Sequence, residues 1–168
     1  MAETELVLTR VLEAPRKLVW KVWTDSGHLA QWWGPPGSRI QVKSLDLRPS
    51  GEFRFGIVSP EAEVMWVRFL FEEVEPHGRL AFRLGITDPE GALIPFPGLP
   101  SFPREIRHVV AFEDQGPRTV VTLRVTPYQA DADQGKGFSD LVADMTRGYG
   151  ESLKQLEAVL ADAAEAER

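Results

Sequence analysis

The chain reads as an α+β domain in which a curved antiparallel sheet receives one long helix on its inner face. Its opening is a single strand followed by two short helical segments. From Ile40 to Thr126 apolar residues recur with period two, and the chain closes on one long apolar stripe at helical spacing. Short turns between the period-two segments imply antiparallel neighbours. A sheet with one apolar face must cover it with a second layer, and the long helix is the layer available.

ETELVLTRVLEAP is expected to be the first strand, with Leu6, Leu8 and Arg10 alternating with Val7, Thr9 and Val11 until Pro15 ends it. Pro15 can also begin a helix, since its missing N–H is not needed there. In PRKLVWKVWTD, Leu18, Val19, Val22 and Trp23 share one helical face. Asp25-Ser26 offers a cap for a second short helix, SGHLAQWW, which Gly34-Pro35-Pro36-Gly37 ends. About six strands follow: RIQVKSLDL, GEFRFGIV, AEVMWVRFLFEEVE, RLAFRL, EIRHVVAFE and TVVTLRVT. They are separated by turn residues such as Pro49-Ser50-Gly51, Pro76-His77-Gly78 and Gln115-Gly116-Pro117.

One connection differs. TDPEGALIPFPGLPSFP is long and proline-rich, and its Leu93, Ile94, Phe96, Leu99 and Phe102 suit a packed cover better than a disordered loop. The final helix carries Phe138, Leu141, Val142, Met145, Tyr149, Leu153, Leu156 and Leu160 on one stripe. Gly135 and Gly137 weaken its first turn, so a firm start is expected near Phe138. From about residue 161 the tail becomes polar helix or frays. No repeat or linker interrupts residues 1–168, which fit one domain.

The formal net charge is -6 and no basic block is present, which argues against nucleic acid as the main partner. No segment approaches the length of a membrane span, and the N-terminus lacks a secretory pattern. The absence of cysteine rules out disulfides, zinc-thiolate sites and a cysteine nucleophile, and fits a cytoplasmic location.

Little in the sequence offers catalytic chemistry. His28, His77 and His108 lie far apart and lack metal-ligand spacing. His77 reads as a solvent-facing turn residue. His108, on a strand beside Arg107, is the one attractive acid or base, set against the plainer reading of a satisfied core or edge histidine. Arg68 interrupts MWVRFLF; it could anchor a ligand acid, although strand alternation favours an outward side chain.

The opening VLEAPRKLVWKVWTDSGHLAQWWGPPG resembles the activator-of-heat-shock-protein-90-ATPase homologue family of the START-like (SRPBCC, birch-allergen-like) superfamily. DLRPSGEFRF, VEPHGRLAF, TDPEG, LPSFPREI, VAFEDQGPRTVVTL, TPYQA and DMTRGYGESLKQLEAVL continue the resemblance in order. The chain departs from that pattern at Ser50-Gly51, where Gly-Gly is common, and at Gly135 and Gly137. The resemblance implies a helix-grip fold: about seven antiparallel strands wrapped around the long helix, with a cavity between them. It implies no shared catalytic residues, metal or cofactor.

On that fold, inward residues near the first half of the final helix would line the cavity. The ligand-binding set expected is Trp32, Trp33, Phe53, Phe55, Trp66, Arg68, Phe82, His108, Phe138, Leu141, Val142, Met145 and Tyr149. For each singly, core packing is the plainer reading; together they suit an apolar pocket with a few orienting polar groups. Adjacent helical residues point about 100° apart, so the two tryptophans should divide: Trp33 into the plug with Trp23 and Leu29, Trp32 towards the cavity mouth. The implied partner is a hydrophobic or aromatic small molecule, with a chaperone contact and a homodimer left open. The rival functions are a polyketide-cyclase/aromatase-like enzyme resting on His108, towards which the reading does not lean, and a chaperone ATPase regulator acting through its surface.

Overall fold

A computed structural model describes residues 5–34 and 37–166. The elements are β1 (Leu6–Leu12), α1 (Arg16–Thr24), α2 (Ser26–Trp32), β2 (Arg39–Leu45), β3 (Glu52–Val58), β4 (Val64–Glu75), β5 (Arg79–Thr87), β6 (Leu93–Ile94), β7 (Glu105–Gln115), β8 (Arg118–Tyr128) and α3 (Ala132–Ala166). This is the α+β arrangement expected, with two short helices after the first strand and a long helix at the end.

The strands form one sheet in the order β1-β8-β7-β5-β4-β3-β2, with β6 paired to β5 off that path. All pairings are antiparallel. Seven full strands match the expectation. The additional β6 is a two-residue strand inside the proline-rich connection, where Ile94 pairs with Ile86 and Leu93 with Thr87. Two residues are too few for alternation to reveal a strand. β1 joins β8 at the far edge, Leu6 opposite Val125 and Leu12 opposite Thr119.

Local chemistry sets the helix ends. Asp25 caps α2 by accepting hydrogen bonds from the Gly27 and His28 amides at 2.8 and 3.3 Å. α3 starts at Ala132, earlier than the expected Phe138. The reason is a reciprocal cap: the Gln134 amide donates to Asp131 Oδ1 at 2.8 Å, and the Asp131 amide donates to Gln134 Oε1 at 3.1 Å. Nor does Gly137 simply weaken the helix. A Cβ there would stand 2.1 Å from the Ser101 carbonyl oxygen, so only glycine lets the cover lie directly on α3. At the other end the helix continues past 161 to Ala166. In the β2–β3 turn, Ser50 adopts φ 69°, the left-handed conformation that favours glycine, while the neighbouring Gly51 has no room for a side chain.

One core joins the inner sheet face, α1, α2 and α3. Phe71, Leu80, Phe82, Val110, Phe112, Leu123, Leu153 and Leu156 are all buried within it.

Candidate functional site

Strand alternation sends Phe53, Phe55 and Ile57 of β3 to the inner face, along with Val67, Phe69 and Phe71 of β4 and Leu80, Phe82 and Leu84 of β5. These rows are not filled alike. At one end aromatic rings close the space: Phe69 stacks on Phe82 at 4.1 Å between centroids, Phe82 stacks on His108 at 4.8 Å, and Phe55 meets Phe69 edge-on at 5.3 Å. At the other end the same strands present Ile57, Met65, Val67, Leu84 and Ile86, and β7 presents Ile106, to a cavity of about 390 Å³. Leu141, Met145 and Tyr149 of α3 form its opposite wall, and Phe96, Leu99 and Phe102 of the proline-rich connection cover it.

Of the expected ligand-binding residues, Trp33, Leu141, Met145 and Tyr149 line this cavity. Phe53, Phe55, Phe82 and Phe138 are fully buried in the core and stand outside the wall. Phe53, Phe55 and Phe82 point to the predicted face, but in the half of the sheet where ring packs on ring, whereas Phe138 on α3 packs against Phe102 of the cover, 6.1 Å between centroids. Val142 is half-buried against the core and does not line the cavity.

Trp66 and Arg68 lie on the outer face, because Val67 and Phe69 take the inward positions of β4. Lys43 Nζ stands 5.4 Å from the Trp66 ring centre. Arg68 Nη2 donates to Glu105 Oε2 at 3.0 Å, so Arg68 cannot serve as the anchor for an acid inside the cavity.

The two tryptophan rings have different surroundings, in the reverse of the order expected. Trp32 is the core ring: it is completely buried, meets Trp23 edge-on at 4.6 Å, and donates its Nε1–H to the Val22 carbonyl at 2.9 Å. Trp33 lines the cavity and meets Phe69 at 5.2 Å and Tyr149 at 6.1 Å. The expectation assumed that both residues were helical. In fact α2 ends at Trp32, and Trp33 is its C-cap in extended conformation, φ -76° and ψ 142°, which swings the ring off the helix path.

His108 faces inward and is completely buried. Its Nε2 lies 2.6 Å from the Tyr149 hydroxyl, while Nδ1 makes no hydrogen bond among the described residues. Burial pushes the imidazole down to about 3, and a smaller pull the other way comes from the Ile106 backbone. Burial likewise raises the Tyr149 phenol. Both groups are therefore neutral at physiological pH. A pair so far from neutrality in both directions is suited to hydrogen bonding rather than to proton transfer.

Among the described residues, no cluster of His, Asp or Glu could hold a metal ion. No described helix is long and apolar enough to cross a membrane.

The sequence reading missed several lining residues, namely Ile57, Met65, Val67, Leu84, Ile86 and Ile106. The signal for their direction was present, since each continues an inward row. Where α3 diverges from the sheet had no signal, because that depends on how far each ring on the two layers reaches. Glu151 and Ser152, which also border the cavity, follow Tyr149 on the helix and looked like ordinary polar positions.

The model of the Activator of Hsp90 ATPase homolog 1-like protein family matches residues 13–161. A solution structure of a protein from Arthrobacter aurescens superposes with a TM-score of 0.79 at 23% identity, covering 94% of this chain and 86% of that one. A crystal structure of a protein from Nitrosomonas europaea gives 0.74 at 26% identity, over 98% of this chain and 99% of that chain. The AHSA1 protein of Silicibacter pomeroyi gives 0.72 at 21% identity, over 94% and 98%. No match is found among curated proteins. With the family pattern running through every element after β1, to the last turns of α3, the chain belongs to the Activator of Hsp90 ATPase homolog 1-like family.

Proposed function

We propose that this protein binds a hydrophobic small molecule in the cavity between the open half of the sheet and α3. The observation that carries this reading is the cavity itself: about 390 Å³ bordered by aliphatic and aromatic side chains, in a domain whose other half is packed ring on ring. Interiors ordinarily close to crystal-like density, and a hollow of this size and lining has the character of a ligand pocket. Apolar surface removed from water contributes roughly 25 cal/mol per Å², less the cost of association. The enzyme reading draws no support from His108, whose depressed basicity makes it a poor base at neutral pH.

The test is ligand-observed NMR with naphthalene on the wild type and on Met145→Trp. The larger ring should take up part of the cavity and weaken saturable binding while leaving the melting transition nearly in place. Equal binding by both proteins would overturn the assignment of the site.

A further inference from the structure

The chain has no cysteine, so methionine is its sole sulfur residue. The described residues include two methionines, Met65 and Met145, and both border the cavity. They stand on facing walls, Met65 on β4 and Met145 on α3. A thioether is soft and apolar and packs well against an apolar ligand. Neither side chain is sealed in the core: Met65 is 37% exposed and Met145 is half-buried. A small uncharged oxidant can therefore reach them from solvent.

The walls offer little to a new polar group. No lysine, arginine or histidine lines them. Ser152 Oγ donates to the Gly34 carbonyl at 3.3 Å, and that carbonyl also accepts from Gln155 Nε2 at 3.2 Å. The Tyr149 hydroxyl is paired with His108 Nε2 at 2.6 Å. An S–O dipole on either wall would find its hydrogen bonds in water, and the water it holds takes the place of an apolar ligand.

Resting on the ligand-binding reading above, we infer that Met65 and Met145 are modification sites at which peroxide turns the cavity from apolar to polar and releases its ligand. The thioether sulfur attacks one peroxide oxygen. An S–O bond forms as the O–O bond breaks, and the second oxygen leaves as water with both peroxide protons. Two electrons pass from sulfur to the peroxide, and the side chain becomes a polar sulfoxide. Sulfoxide reductases return the thioether, so the change is reversible. Met65, the more exposed of the pair, reacts first.

The test titrates naphthalene by ligand-observed NMR into the wild type in three states: untreated, oxidised in graded steps with hydrogen peroxide, and then reduced by sulfoxide reductases for both epimers. Peptide mass mapping follows each methionine, and the thermal transition follows the fold. Affinity should fall at least about fivefold as Met65 and Met145 gain oxygen, with the fold retained, and should recover on reduction. The double variant Met65→Leu, Met145→Leu keeps both walls apolar and should hold its own starting affinity through the same treatment. Unchanged naphthalene affinity once both sulfoxides are mapped would overturn the inference with the cavity reading intact. So would resistance of both methionines under conditions that oxidise free methionine, loss of binding only alongside unfolding, or an equal loss in the double variant. Failure of the untreated protein to bind naphthalene would overturn the ligand-binding reading as well.

Discussion

The inner face of the sheet is packed at one end and hollow at the other, yet the same strands supply both. β5 puts Leu80 and Phe82 into the packed end and Leu84 and Ile86 into the cavity wall. β7 likewise gives Val110 and Phe112 to the core and Ile106 to the cavity, with His108 at the boundary. Binary pattern cannot distinguish the halves, since both are apolar and both point inward. Ring content can: Phe53, Phe55, Phe69 and Phe82 bridge from sheet towards helix, while the aliphatic residues beyond them stop short. The two tryptophans repeat the contrast over adjacent positions, Trp32 sealing the plug and Trp33 facing the hollow.

The contrast is sharpest at those tryptophans. Trp32→Ala should cost about 3–5 kcal/mol, because it empties a closed site and leaves the Val22 carbonyl without its donor. Trp33→Ala widens an existing cavity and should cost less than half as much, by chemical denaturation, while changing naphthalene binding. Equal costs would break the division. On α3, Leu156→Ala at the packed end should lose about 2–5 kcal/mol, whereas Leu141→Ala in the cavity wall should lose clearly less.

The smallest effect is a slope at the boundary. The His108 imidazole titrates near 6.5 when unfolded and at about 3 when folded. Between those values the unfolded chain holds more protons, so stability rises with pH. The contribution of the neutral histidine is fully present above about 6.5 and is lost as pH falls towards 3. His108→Gln should flatten the stability–pH curve over that window relative to wild type; parallel curves would place His108 in a solvated setting rather than at the buried boundary.

Element existence was legible because each rests on local chemistry. The alternation of GEFRFGIV and TVVTLRVT, the Asp25 cap and the stripe on α3 are written in neighbouring residues, and strand and helix appear where they indicate. The resemblance of the opening segment and the motifs after it supplied the helix-grip frame. Boundaries followed less well. The Asp131–Gln134 cap is written in neighbouring residues and offsets the weakness of Gly135 and Gly137, while Gly137 makes sense only once Ser101 is known to press on it.

By itself, then, the sequence determined the class of fold, the facing of nearly every apolar residue, and the absence of cysteine chemistry. Tertiary structure decided which inward residues touch one another and which touch a cavity, and that β1 would pair with β8 across the length of the chain. It also decided that Trp33 would leave its helix, and that His108 and Tyr149 would meet. Facing is set by the backbone period within a few residues. The space between two layers is set by the sum of side chains from distant segments, and no single stretch of sequence contains that sum.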